Sequence, residues 1–406
     1  MKRHSLLAAA LVLCAAAAAA CADQQPLATT TVRPTRPRMT VTPTSPYASI
    51  TAGWLHACGL ESNGQAHCWG RNATGQLGDS SATNSNVPTN VFQQGVTFAS
   101  ITGGESHTCA LTSAGQAYCW GYNADNRLGD STTNLREAPV AVLPLGGVVF
   151  TRLHAGHFHS CGINSSGQAY CWGENSSGQL GDSSTTWHGS PTAVHQPSGV
   201  TFVDVVAGDQ HSCGLDGNGQ AWCWGYGGDG AIGNNSLIGP KYPVAVQQPS
   251  GVTFTQISAN GASTCGLTSG GQEYCWGNNQ NGQLGDNSTT NRKVPVAVQQ
   301  PSGVTFTSIA TSRSTACALD GSGNAYCWGS NAYGQVGNGT TSTTGQLTPT
   351  AVTMPSGVTF TQIVAQQTAA CGLDTGGQTW CWGRANYGQV GDGANTNRST
   401  PVAVSH

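Results

Sequence analysis

The chain has 406 residues, only 8% of them charged, with 15 Lys+Arg against 18 Asp+Glu and a formal net charge of -3. That length allows a large core, and the charged fraction is far below the roughly 25% of an ordinary soluble domain. The near-balance leaves no basic footprint for nucleic acid.

The first element is a secretion signal over residues 1–20. Lys2, Arg3 and His4 precede an apolar run from Leu6 to Ala20, the charged and apolar regions of a signal peptide. The run is too short and too Ala-rich for a membrane span. Two cleavage readings stand. Ala18-Ala19-Ala20-Cys21 reads as a bacterial lipobox that would leave a diacylated Cys21 as the new N-terminus; Ala20-Cys21-Ala22 reads as a small-residue site cut before Asp23. The lipobox is preferred because Cys21 has no partner in the pattern that follows, whereas Cys14 leaves with the signal. Residues 21–46 then form an anchor and a Pro/Thr-rich spacer. Its basic residues Arg33, Arg36 and Arg38 read as part of a solvated tether.

From Tyr47 to His406 the chain repeats itself seven times. Cys-Trp-Gly begins at Cys68, Cys119, Cys171, Cys223, Cys275, Cys327 and Cys381, a period of about 52 residues. A second cysteine stands ten residues before each, at Cys58, Cys109, Cys161, Cys213, Cys265, Cys317 and Cys371. An even set at regular spacing in an exported chain implies disulfides. Zinc is the weaker reading, because C-x9-C without a constant histidine is not a metal spacing.

The fourth copy shows the elements most cleanly. Phe202, Val205 and Val206 mark a short strand; His211 to Leu215 and Gln220 to Trp224 mark two more, joined at Asp216-Gly217-Asn218-Gly219. Glycine in the left-handed region closes such a three-residue loop. Counting outward from the equivalent loop in the first copy places Cys58 directly opposite Cys68, where a cross-strand bridge fits. Pro-Val-Ala-Val at Pro139, Pro243, Pro295 and Pro401 supplies a fourth strand, with proline expected at its first residue. Four short strands per unit, seven units and no amphipathic helical pattern give an all-β, seven-bladed propeller of four-stranded blades, with one hairpin disulfide per repeat. A linear β-solenoid is the alternative, but its coils are usually shorter. The tryptophan beside each second cysteine points to the opposite face and is expected to pack between blades.

The motif G-x-x-H-x-C-x-L…Y-C-W-G-x-N-x-x-G-Q-L-G-D, as in Trp69-Gly70…Gly75-Gln76-Leu77-Gly78-Asp79, resembles the regulator of chromosome condensation repeat. The resemblance covers Tyr47 to His406 and implies a seven-bladed propeller, with strands from the two chain ends expected to close the ring in a shared blade. The paired cysteines depart from the eukaryotic pattern and suit export. Members of the family include a nuclear exchange factor, a plant ultraviolet-B receptor and a secreted bacterial β-lactamase inhibitor. An exported lipoprotein would never meet a nuclear GTPase. The photoreceptor's tryptophan cluster needs several copies of Gly53-Trp54-Leu55-His56, whereas Glu105, His157 and Asp209 replace Trp54 in the next three repeats.

The candidate ligand-binding residues follow from one asymmetry. Repeats one to four carry His56, His107, His159 and His211, where repeats five to seven have Ser263, Thr315 and Ala369. The plain reading has each histidine hydrogen-bonding within its own blade. The sharper reading has a polar or metal-binding patch at the channel mouth, built from Glu105, His157, His159 and Asp209, with Trp54, His56, His107 and His211 nearby. The Gly-Asp of five repeats, at Asp79, Asp130, Asp182, Asp286 and Asp392, with Asn234 and Asn338 replacing it in the other two, is expected to cap the Ser/Thr turn after it, since a calcium site would need clustered carboxylates. No catalytic residue, resident metal or cofactor is assigned. The expected function is a noncatalytic, monomeric binding module on the bacterial cell envelope, engaging an unknown protein or glycan through blade loops and touching the membrane only through its lipid anchor. An envelope hydrolase or lyase at the channel mouth, and an inhibitor of an extracytoplasmic enzyme, are the alternatives.

Overall fold

The hairpin between paired cysteines is the local unit. In the computed structural model, which describes residues 45–143 and 146–405, the first repeat forms β1 (Tyr47–Ala52), β2 (His56–Glu61), β3 (Ala66–Gly70) and β4 (Ser85–Asn90). The signal-peptide and lipobox readings, and nearly all of the spacer, lie outside the described residues. Glu61 N donates to Gln65 O at 2.9 Å and Gly64 takes φ +85°, so the loop closes as the glycine spacing implies. Cys58 then stands opposite Cys68 in register, with Cα atoms 4.0 Å apart, and the two are bridged. The same bridge recurs in all seven repeats. Each closes a short loop and stabilises by about 2–3 kcal/mol in the chain-entropy picture. Seven such bridges place the chain in an oxidising, extracytoplasmic environment.

Each repeat forms one antiparallel four-stranded sheet of consecutive strands, seven sheets in all among the described residues. This corrects the expectation of a blade shared between chain ends. Blade one runs from Tyr47 to Asn90 and blade seven from Phe360 to Ala403, each complete. The ring closes through side-chain packing instead. Tyr47, Ile50, Ala57 and Trp69 of blade one pack on Cys371, Leu373, Cys381 and Val390 of blade seven.

Alternation along the strand sorts the core. The disulfide lies on one face of a blade and the tryptophan on the other. Between blades one and two, Cys58, Cys68, Leu60 and Leu77 pack against Phe98, Ala110 and Trp120. Trp120 Nε1 donates to Gln76 O at 3.0 Å. A Cβ on Gly78 (φ +72°) would come within 2.6 Å of the indole, so only glycine lets the loop approach. The seven Cys-Trp-Gly tryptophans are wholly buried, and each donates to the preceding blade.

The outer strand departs from expectation. Pro139 lies inside Arg136–Ala141, and Pro401 inside Arg398–Ala403, rather than at a first residue. These are edge strands, where a proline can turn its missing N–H away from the ladder at no cost. Blade four keeps only Val244–Ala245 of this strand. The turn-capping role of the Gly-Asp residues is present: Asp79 Oδ1 accepts from Ser81 N and Oγ, and Asp286 Oδ1 does the same for Ser288.

One position breaks the repeat's own rule. Glu273 is fully buried where blades one to four and six have Ala66, Ala117, Ala169, Ala221 and Ala325. Its Oε1 lies 3.3 Å from Cys275 Sγ, but that sulfur is bridged to Cys265 and has no proton to donate. Burial therefore pushes the Glu273 carboxyl well above its ordinary value. Protonation of this group favours the folded state, so its contribution is full below the unfolded value of 4.5 and falls as pH rises towards the folded one. Glu273→Gln is expected to match wild type in acid and to be the more stable protein at pH 7. Thermal melts of both across pH check this; melts that stay parallel would contradict it.

Candidate functional site

The loops joining the first and second strands of each blade converge at one mouth of the central channel. The residue after the loop's first position is Trp54, Glu105, His157, Asp209, Gly261, Arg313 and Gln367 in blades one to seven. Trp54, Glu105, His157, Asp209, Arg313 and Gln367 line a common pocket there. The structure thus brings together Trp54, Glu105, His157 and Asp209 as the sequence suggested.

It does not bring the other four histidines to that surface. His56, His107, His159 and His211 are buried. Each places Nε2 on a hydroxyl of the next blade: Thr108 at 2.8 Å, Ser160 at 2.9 Å, Ser212 at 2.7 Å and Thr264 at 2.8 Å. This corrects the expectation of bonds within one blade. The Thr108 hydroxyl spends its single proton on Gln76 O at 2.9 Å, so His56 must carry its proton on Nε2 and donate. Burial pushes His56 and His159 down to about 3 and His211 to about 4, with His107 also well below its ordinary value. These neutral rings tie blade to blade. His159 consequently drops out of the four-residue patch.

What remains at the mouth is a charge network. His157 Nε2 lies 3.0 Å from Glu105 Oε1 and Nδ1 lies 3.3 Å from Asp209 Oδ1. Both imidazole nitrogens therefore face carboxylate oxygens. Arg127, with a side chain 1% exposed, reaches Glu105 Oε2 at 3.3 Å, pairs with Asp125 and donates to His157 O at 2.7 Å. Arg313 is half exposed; its Nε lies 3.8 Å from Asp209 Oδ2 and its guanidinium 5.8 Å from the Trp54 ring. Trp54 meets His157 edge-on at 4.8 Å. Burial disfavours charge on all three central groups, yet their partners outweigh it. Asp209 and Glu105 raise His157 above the ordinary imidazole value; His157 and Arg127 lower Glu105; His157 and Arg313 lower Asp209. With both imidazole nitrogens facing carboxylates, the protonated ring has no lone pair to offer a metal, which disfavours the metal form of the sharper reading. Elsewhere among the described residues, Cys265, Glu273 and Cys275 form a close trio of ligand-type side chains, but the two sulfurs are already bonded to each other.

Arg127, Arg313 and Gln367 escaped the sequence reading. The signal for two of them was available: Arg313 and Gln367 occupy the repeat position of Trp54, in copies beyond the histidine-bearing four. Arg127 stands where five other repeats have glutamine (Gln76, Gln179, Gln283, Gln335 and Gln389). Only its greater length carries charge into the mouth.

The regulator of chromosome condensation (RCC1) repeat matches residues 63–111, 114–163, 166–215, 218–267, 270–319 and 322–372. The chain belongs to this repeat family. Each matched unit begins in one blade's hairpin and ends in the second strand of the next, so the repeat is offset from the blade even though no blade is shared by the chain ends. The ultraviolet-B receptor UVR8 of Arabidopsis thaliana is 27% identical over 357 residues, covering 87% of this chain and 81% of the receptor. The human E3 ubiquitin-protein ligase HERC2 is 29% identical over 290 residues, 70% of this chain but 6% of that protein. Prp20p of Saccharomyces cerevisiae, whose structure was reported with its binding to Gsp1p and histones, superposes with a TM-score of 0.73 at 21% identity, covering 89% of this chain and 88% of Prp20p. RCC1-like propellers act as binding and interaction modules.

A raised His157 gives a stability term that is full below the unfolded value of 6.5 and is lost as pH rises through the folded one. The Glu105 and Asp209 terms run oppositely, present above their unfolded values of 4.5 and 3.8 and lost in acid. The network is therefore fully ionic only between these limits. His157 should titrate above 6.5 in an NMR pH series, and Glu105→Gln with Asp209→Asn should bring it down. A wild-type midpoint below 6.5 would contradict the arrangement.

Proposed function

We propose that the chain is a noncatalytic binding module of the bacterial cell envelope that engages a protein or glycan partner at the channel mouth. The observation carrying this reading is the contrast between scaffold and mouth. Cysteine, tryptophan and glycine recur in every repeat, while the mouth position is a different residue in each of the seven. A fold that needed only to close could repeat one loop; seven different side chains make a surface with one orientation. The charged network at its centre is pre-organised, which reduces the ordering cost of binding. Binding is favoured over hydrolysis because both nitrogens of His157 face carboxylates, leaving neither to take a proton from a nucleophile.

Cross-linked capture from envelope extracts is the direct test. Trp54 is half-buried at the mouth, and Trp54→Ala should weaken the captured partner about tenfold or more, roughly 1.4 kcal/mol, with little change in melting temperature. Undiminished capture by Trp54→Ala would place the interface elsewhere. The lipid anchor is tested separately: Cys21→Ser should release a folded protein from membranes, and a wild-type protein already soluble and starting at Asp23 would contradict it.

A further inference from the structure

The mouth-side face divides its charge. Besides the mouth position, two further positions of each repeat face this way: the residue after Cys-Trp-Gly, and the one before the glycine that opens Gly-Gln-Leu. In blades two to four these three positions hold Glu105, Asp125, Glu174, Asp209 and Asp229. From blade five round to blade one they hold no carboxylate, and Arg313, Arg384, Arg71, Tyr333 and Tyr387 stand there instead.

The arginines on this side are held in a particular way. Arg384 of blade seven lies 4.8 Å over the ring of Tyr333 in blade six, and Arg71 of blade one lies 6.0 Å over Tyr387 in blade seven. The same pairing is thus repeated one blade on. Arg136, Arg292 and Arg398 each bind an aspartate, but neither Arg71 nor Arg384 has an ion-pair partner among the described residues. A guanidinium lying on a tyrosine keeps its planar fork of N–H donors free at the edge, and that fork matches a carboxylate in two parallel bonds.

Arg384 and Tyr333 also line a cavity of about 440 Å³ that adjoins the mouth through Asp209, Arg313 and Gln367. Its remaining wall is mainly amide and hydroxyl, from Asn278, Gln280, Asn281, Ser314 and Ser330, with Ala262 beside them. Its blade-four end carries two carboxylates that already have partners: Asp229 accepts from Asn291 Nδ2, and Asp209 faces Arg313. Thr368 Oγ1, buried and without a hydrogen-bond partner, belongs to the same wall. The core of a protein–protein interface is rich in apolar and aromatic contact; here the aromatic ring is covered by an arginine and the rest is polar. Hydroxyl-rich ligands satisfy such a wall, and regularly spaced carboxylates suit arginines repeated blade by blade.

We propose that this amide-lined groove over blades five to seven, with Arg384 in its wall and Arg71 continuing the row onto blade one, binds a carboxylated polysaccharide. It rests on the reading that the mouth-side face is the binding face, and it names the ligand class. The full-length protein is titrated calorimetrically with polygalacturonate, with the same polymer fully methyl-esterified, and with polyglutamate. Polygalacturonate should bind at least tenfold more tightly than either. Arg71→Ala with Arg384→Ala should weaken it at least tenfold at unchanged melting temperature, and Arg71→Lys with Arg384→Lys should fall short of wild type because the fork is lost. Absence of binding, equal binding of the neutral ester, a preference for polyglutamate, or indifference to both double variants would each overturn the groove. Binding that survives the arginine changes but is lost in Trp54→Ala would also overturn it, by moving the polymer to the mouth. A protein that ignores polygalacturonate yet captures an envelope partner through Trp54 would overturn the groove while leaving the mouth reading intact.

Discussion

The contact on which the whole ring depends is a single backbone carbonyl shared between blades. Gln76 O accepts the Trp120 indole and the Thr108 hydroxyl of the following blade; Arg127 O accepts Trp172 and Ser160; Gln179 O accepts Trp224 and Ser212. Two donors on one acceptor fix the distance and the tilt between neighbours, and the indole's large apolar face supplies most of the gain in burying it. Blade seven packs on blade one through the indole alone, Trp69 donating to Gln389 O while Ala57 stands in the place of Thr108, and the ring closes without exchanging a strand. The hairpin disulfide holds the opposite face of each blade flat against this contact.

The same carbonyl ties scaffold to surface. The residue that offers it also sends its side chain towards the mouth. Gln283 Nε2 donates to Arg313 O, and Arg127, in the equivalent place, donates to His157 O and goes on to Glu105. A position conserved for its backbone is therefore free to vary in its side chain, and one exchange of glutamine for arginine draws the Glu105–His157–Asp209 cluster into a fixed network. The cation is wholly buried and paired with two carboxylates, so the cluster is rigid before any ligand arrives. The buried neutral histidines of blades one to four belong to the scaffold. Their likeness in spacing to the mouth residues reflects a shared loop and not a shared role.

What could be read from the sequence was what local geometry dictates. Opposed cysteines, the left-handed Gly64 and the alternation of disulfide and tryptophan all follow from strand period and loop length. Partners one blade away were less legible: spacing within a repeat does not say whether a histidine bonds its own blade or the next, and His56 reaches Thr108 of blade two. The prolines of the outer strand were misplaced because sequence does not say which side of an edge strand faces open solvent. The burial of His159 removed it from the patch, and the length of Arg127 added a residue that spacing alone presents as an imperfect glutamine. The charge division of the face is written in the sequence, but it becomes visible only once three positions of each repeat are known to share one side.

The central claim is that the ligand-bearing side is the mouth side and not the hairpin side. Hydroxyl-radical footprinting of the full-length protein, free and bound to its captured partner, tests this most directly. The account predicts protection of Trp54, Tyr333 and Tyr387, with Val149 and Val203, exposed beside the hairpin glycines Gly115 and Gly217, labelled equally in both states. Protection of Val149 and Val203 with Trp54 and Tyr333 unchanged would contradict it.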